Sequence, residues 1–257
     1  MIIAGAAQQR SAVVSLPYFE MIVKTDNAGT SDNDQFTIPT TGGGYNYTVE
    51  TSEQLLTGQT GNVTLDWASA GTHWVRITGD FPSIFFNNGG DRQKLLEVSN
   101  WGDILWGSFF RSFWGCDSLL ITALDSPNLS SVTNMESAFW GASSFNQSIN
   151  HWDISNVQNI GFMFRDASAF NQPLNNWNTS NVTSSSRMFR GASAFNQPLN
   201  NWDTSLILNM DEMFRGASAF NRDLSEWCVE LIGSPPLRFD LGATSWVLPR
   251  PNWGDPC

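Results

Sequence analysis

The second half of this chain repeats itself every 25 residues. Phe145, Phe170, Phe195 and Phe220 are each 25 apart, and so are Trp152, Trp177, Trp202 and Trp227. The stretch Phe189-Arg190-Gly191-Ala192-Ser193-Ala194-Phe195-Asn196 returns letter for letter at residues 214–221. Self-similarity at such a period marks a stack of like units, each contacting only its neighbours, and such stacks present long surfaces suited to binding. Further columns share the register: Val132, Val157, Val182 and Ile207; Phe139, Phe164, Phe189 and Phe214; Ile149, Leu174, Leu199 and Leu224. Upstream, Phe113-Trp114-Gly115-Cys116 precedes Phe139-Trp140-Gly141-Ala142 by 26 residues, so one unit carries a one-residue insertion.

Each unit divides into two halves. In Asn209-Met210-Asp211-Glu212-Met213-Phe214-Arg215 the apolar residues fall at i, i+3 and i+4, a helical period. Acids at its start and Arg215 at its end suit a helix dipole, so the spacing predicts a short helix held by packing. The run Asn196-Gln197-Pro198-Leu199-Asn200-Asn201-Trp202 reads as an extended strand with Leu199 inward. Strands stack about 4.8 Å apart and helices about 8–10 Å, so this reading predicts a curved stack.

The first third has a different texture. Phe19-Glu20-Met21-Ile22-Val23-Lys24, Gln35-Phe36-Thr37-Ile38-Pro39, Tyr45-Asn46-Tyr47-Thr48-Val49-Glu50, Val63-Thr64-Leu65-Asp66-Trp67 and His73-Trp74-Val75-Arg76-Ile77-Thr78-Gly79 read as short strands between turn-rich segments. Strands at this spacing predict a small β-sandwich. The fold class expected is therefore mainly β with short helices, an Ig-like β-sandwich followed by a solenoid. The expected boundaries are an N-terminal arm at 1–18, the sandwich at 19–82, the solenoid at 83–228 and a C-terminal cap at 229–257.

Composition narrows the partners. The formal net charge is −11, and Lys24 and Lys94 are the only lysines. A protein that neutralises phosphates needs clustered Lys and Arg, which argues against nucleic acid. There is no run of 18 apolar residues, so no membrane insertion is expected. The N-terminus, Met1 to Arg10, lacks a basic leader and reads as no signal peptide. It is expected instead to dock on a neighbouring subunit, which is compatible with a homo-oligomer.

Cys228 follows the last repeat Trp, and Cys257 is the final residue. A disulfide between them would close a loop of about 30 residues and contribute roughly 3 kcal/mol. Cys116 falls in the column of Ala142, Ala167, Ala192 and Ala217 and reads as a small buried thiol. The Phe and Trp columns read as core. The column Asn146, Asn171, Asn196 and Asn221 reads as an internal ladder satisfying backbone groups.

The candidate binding row is Arg165, Arg190 and Arg215, extended one unit back by Trp140 and another by Trp114. Three guanidinium groups in line can read carboxylates or phosphates. The alternative is a solvated flank paired with acids such as Asp166 and Glu212. No catalytic residue, metal ligand or cofactor is assigned. His73 and His151 lie in different modules without a nucleophile motif, and no Cys/His metal spacing occurs. The loop Asp26-Asn27-Ala28-Gly29-Thr30-Ser31-Asp32-Asn33-Asp34 is rich in oxygen ligands but lacks EF-hand spacing. A glycan hydrolase would need a placed carboxylate pair, and none can be assigned.

Two resemblances bear on function. Gly71-Thr72-His73-Trp74-Val75-Arg76-Ile77-Thr78-Gly79 resembles the final strand of PKD-like modules, although Thr51-Ser52-Glu53-Gln54 stands where that family has a Trp-Gly-Asp-Gly turn. Residues 113–227 resemble the BspA-like leucine-rich repeats of bacterial surface proteins, found also in phage and viral proteins. The pattern Met-Phe-Arg-Gly-Ala-Ser-x-Phe-Asn-Gln-x-Leu-x-x-Trp-Asp-x-Ser runs over 163–180 and 188–205 and begins again at Met213, with Asp166 replacing Gly and Asn178 replacing Asp. The resemblance implies a leucine-rich-repeat-like solenoid in a non-enzymatic attachment protein. Its expected place is the virion surface or the extracellular space, as a tail fibre, spike or decoration component or a bacterial adhesin. Its expected partners are a host-surface protein or glycan, together with neighbouring virion or surface subunits. A purely structural subunit is the alternative.

Overall fold

A computed structural model describes residues 16–256. The docking arm therefore lies almost wholly outside the described residues, as does Cys257. The described chain is mainly β. Its strands are β1 (Phe19–Lys24), β2 (Gln35–Ile38), β3 (Asn46–Glu50), β4 (Leu55–Gln59), β5 (Val63–Asp66), β6 (Thr72–Asp80), β7 (Leu95–Asn100) and β8 (Leu120–Ile121). They form a six-stranded sheet in the order β4-β3-β6-β1-β7-β8 and a two-stranded sheet, β2-β5.

Alternation makes the strands. Phe19, Met21 and Val23 of β1 are buried between half-buried neighbours, and β2 and β5 alternate in the same way. Tyr47 and Val49 of β3 and Val75 and Ile77 of β6 join Phe36, Ile38, Val63 and Leu65 in one core. All pairings are antiparallel except β7 with β8. Strand β4 has no counterpart in the sequence reading because its edge position leaves Leu55 and Leu56 without buried alternation. The sheet also continues past residue 82: β1 pairs with β6 on one side and β7 on the other. The segments on either side of the expected boundary thus share a sheet and a core. Gly102 (φ +62) makes the close crossing possible, since a Cβ there would meet the Tyr18 carbonyl at 2.4 Å.

A buried cation ties the first loop down. The Lys94 ammonium donates to the carbonyls of Ser31, Asp32 and Gln35 at 3.0, 2.7 and 2.9 Å and to Ser31 Oγ at 2.9 Å. Beside it, Asp91 accepts from the N–H groups of Thr30, Ser31 and Thr37 and from the Ser31 hydroxyl. The oxygen-rich loop noted in the sequence turns its carbonyls onto a lysine.

After β8 the 25-residue units lie one on the next. Parallel bridges join Asn134 to Asn159, Asn159 to Ser184 and Ser184 to Asn209. The predicted short helices do not form; the described residues contain no helix. The reason is the backbone at two columns four residues apart. Ser137, Phe162, Arg187 and Glu212 have φ of 60°, 58°, 56° and 55°, and Gly141, Asp166, Gly191 and Gly216 have 70°, 57°, 71° and 73°. A left-handed residue every fourth position ends each right-handed turn before a second can begin.

The hydrogen bonds follow from that alternation. Met135, Ser137, Phe139 and Gly141 donate to Asn159, Gly161, Met163 and Arg165 of the next unit, all at 2.8–2.9 Å. The N–H groups between them, on Ala138, Trp140 and Ala142, donate to carbonyls three residues back. Each unit is a string of tight turns whose spare donors stitch it to its successor. The run at 196–202, read as a strand, is irregular, and the bridged residues lie in the other half of the unit. Without helices the spacing argument for a curved stack falls away: rings of the Phe139 column repeat at 5.6–5.9 Å.

The interior is three aromatic columns. Phe145, Phe170, Phe195 and Phe220 stack at 5.8–6.0 Å with interplanar angles of 4–5°. The Trp column is buried too, and Trp177, Trp202 and Trp227 each donate Nε1–H to a carbonyl of the preceding unit, from Ile149, Leu174 and Leu199. The Asn column forms the expected ladder, Asn146, Asn171 and Asn196 each accepting, through Oδ1, the N–H of the next Asn at 2.9 Å, but it lies at the surface and not inside: Asn146 is exposed and Asn171, Asn196 and Asn221 are half-buried. Cys116 is buried and free, and burial holds its thiol pKa well above the usual range. Cys228 is disulfide-bonded.

Candidate functional site: an arginine and aromatic flank

The turn strings carry one edge of the stack. In each unit a buried pair ending in Phe is flanked by one residue before it and one after it; the residue after it is partly exposed in every unit, whereas the residue before it is partly exposed at Arg111, Phe162 and Arg187 and buried at Ser137 and Glu212. The second column is Trp114, Trp140, Arg165, Arg190 and Arg215, the residues singled out in the sequence, and the structure brings them into one row. The first column is Arg111, Ser137, Phe162, Arg187 and Glu212, which sequence reasoning missed. Its signal was present as a 25–26-residue recurrence three positions ahead, but the types differ at every step, so only the backbone marks it as one column.

The first three residues of the row form a stack. Trp114 and Trp140 lie parallel, with ring centroids 4.1 Å apart and planes 9° apart. The Arg165 guanidinium sits 4.1 Å from the Trp140 ring, and Arg111 lies 4.6 Å from Phe110 and 5.2 Å from Trp114. Phe162 is approached by Arg187 at 5.0 Å and Arg165 at 5.7 Å. Such contacts contribute roughly 0.5–1 kcal/mol each where solvent reaches them. Trp140 is covered by Trp114 from the preceding unit and Arg165 from the following one, so its rim, not its face, meets solvent. The expected aromatic platform is thus a ladder seen edge-on.

Further along, Glu212 gathers three arginines. Arg187 reaches its Oε1 at 3.2 Å, and Arg190 and Arg215 reach Oε2 at 2.9 Å each. The Glu212 side chain is 5% exposed, while the three arginine side chains are 27–32% exposed. The hydrogen bond from Arg215 is the largest influence on Glu212; with those from its neighbours it outweighs burial and holds the carboxyl below its usual range. Arg165 pairs with Asp166 at 3.3 Å, and Asp166 also accepts the Trp140 indole N–H at 3.1 Å. Burial first, and the charge of Arg190 next, lower the Arg165 pKa. The guanidiniums are paired with Asp166 and Glu212, as the second sequence reading expects, and they remain partly exposed. Arg111, Arg165, Arg187, Arg190 and Arg215 outnumber those two acids on this flank of a chain whose net charge is −11.

Residues 108–227, somewhat under half of the chain, match a family described as Mycoplasma protein of unknown function, DUF285, so the matched stretch is the repeat region that carries this flank. No curated protein and no solved structure matches the chain.

Proposed function

We propose that this protein is a non-enzymatic recognition protein of a virion or cell surface, with a PKD-like β-sandwich leading into a leucine-rich-repeat-like solenoid. The solenoid flank bearing Trp114, Trp140, Arg165, Arg190 and Arg215 meets a host-surface protein or glycan. The observation that carries this reading is the concentration of five of the eleven arginines, interleaved with half-buried Phe110, Trp114, Trp140 and Phe162, on one edge of an acidic chain. Arginine and aromatic residues are the types that dominate binding surfaces. The 25-residue repetition and the resemblance to BspA-like surface proteins support the same reading.

The test is binding of the intact labelled chain to a panel of candidate host cells at increasing salt. Saturable binding that weakens as salt rises is expected, because the row is charged and exposed. Absence of saturable binding to any cell in the panel counts against the reading.

A second reading, a structural assembly subunit, is favoured by the C-terminal end. Leu208, Leu231, Leu237, Leu241 and Val247 are all more than half exposed there. Exposed apolar residues gathered on one face mark contact surfaces. Concentration-dependent sedimentation, abolished by Leu237→Ser with Leu241→Ser, is its expected sign; a monomer at all concentrations argues against it.

A further inference from the structure

The flank carries more positive charge than its own acids neutralise, and one part of it is organised around a single buried anion. Arg187 and Arg190 of one turn string and Arg215 of the next converge on Glu212. Each guanidinium has five N–H donors in a planar fork, and the contacts to Glu212 use only part of them. One carboxylate leaves three guanidiniums with a net charge of +2, all at the surface. Glu212 fixes their spacing: it is buried, and its backbone is held in the left-handed region at φ 55° by the turn string.

We infer that Arg187, Arg190 and Arg215, positioned by Glu212, bind the carboxylate of an acidic saccharide, a uronate-type sugar in a linear polymer; this rests on the recognition reading above. Planar forks match a carboxylate in two parallel hydrogen bonds, which is the geometry guanidinium serves best. The row continues unit by unit through Arg165 beside Trp140, so a chain with a charge on each residue meets repeated donors along its length. Clefts of about 340 Å³ lie next to the end of the flank, lined among others by Met210, Asp211 and Leu237, and away from it, lined among others by Tyr45, Phe81, Asp103 and Leu105. The partly exposed arginines form a run of donors, unlike the desolvated pockets in which a protein partner's side chains anchor, and this fits an extended acidic polysaccharide.

The experiment is calorimetric titration of the intact chain with four probes: an oligogalacturonate, a neutral malto-oligosaccharide, a sulfated dextran oligomer and oligoglutamate. Cell binding is measured in parallel. Saturable oligogalacturonate binding is expected, weakened at least tenfold by Arg190→Lys, which keeps the charge and removes the fork. Glu212→Gln separates positioning from bulk attraction. It makes the flank more positive, so simple attraction predicts tighter binding, whereas a positioning role predicts weaker binding by protein that is still folded at the assay temperature, its unfolding midpoint lowered by loss of the buried charge. Should Glu212→Gln not fold, Arg190→Lys decides alone.

Binding of the sulfated oligomer or of oligoglutamate as tight as that of oligogalacturonate overturns the assignment, as does indifference to Arg190→Lys. Cell binding lost in flank variants without any oligogalacturonate binding sinks this inference and leaves the recognition reading standing. Loss of both sinks both.

Discussion

At the residue scale, the positions that matter most are those where one side chain answers several backbone groups. Lys94 is one. Replacing it by Met leaves the carbonyls of Ser31, Asp32 and Gln35 without their donor, and unpaired buried polar groups cost about 1–3 kcal/mol each. Lys94→Met is expected to lower stability by about 3–5 kcal/mol, read as a drop in the urea midpoint; a change under about 1 kcal/mol contradicts the cage. Asp91 gives a pH dependence. Burial is the largest single influence and pushes its carboxyl up, but hydrogen bonds from Ser31, Thr37 and Thr30 together pull it below its ordinary value. A folded pKa below the unfolded value stabilises the fold above pH of about 4 and loses that contribution as pH falls through the folded value. Asp91→Asn should therefore shrink the loss of stability between neutral pH and pH of about 3; an unchanged acid limb contradicts the assignment. The Arg165, Arg190 and Arg215 column was legible in sequence because identical residues recur at the period. Glu212 was legible as an acid paired with that column, but Arg187 and the column that joins it to Glu212 were not, since Phe, Arg and Glu share nothing but a backbone angle.

At the scale of the element, burial was legible and conformation was not. Met210, Met213, Phe214 and Ala217 are all buried, as the helical period requires. A string of turns places the same residues inward, so periodicity could not separate it from a helix. The glycine column Gly141, Gly191 and Gly216 was the available sign, because glycine at the left-handed region stops a helix. Far-UV circular dichroism should accordingly lack the paired helical minima; their presence would contradict the turn strings. Gly191→Ala should cost about 1–2 kcal/mol for the left-handed backbone alone, and more because its Cβ would meet Asp166 Oδ1 at 2.3 Å. The Trp ladder gives a sharper test. Trp202→Phe removes the donor to the Leu174 carbonyl, and a loss of about 1–3 kcal/mol in thermal or urea unfolding is expected. No loss would mean the indole N–H contributes only packing.

At the scale of the molecule, the two halves differ in texture along the sequence yet share one core. The change after residue 82 was real as a change of period, from two to 25, but β7 and β8 return to the sheet begun by β1. Composition could not reveal this because the pairing of β1 with β7 spans some 75 residues and leaves no local mark. On the proposed function, the long edge of the stack is what meets a partner. The most direct measurement of that claim compares two folded triple variants for binding to the host cells that capture the intact chain. One carries Arg165→Ala, Arg190→Ala and Arg215→Ala; the other carries His151→Ala, Asn176→Ala and Asn201→Ala, an exposed column in the other half of each unit. Loss of at least tenfold in affinity for the arginine variant, with the other unchanged, is the predicted result. Equal binding by both, or loss only in the second, would contradict recognition by the arginine flank.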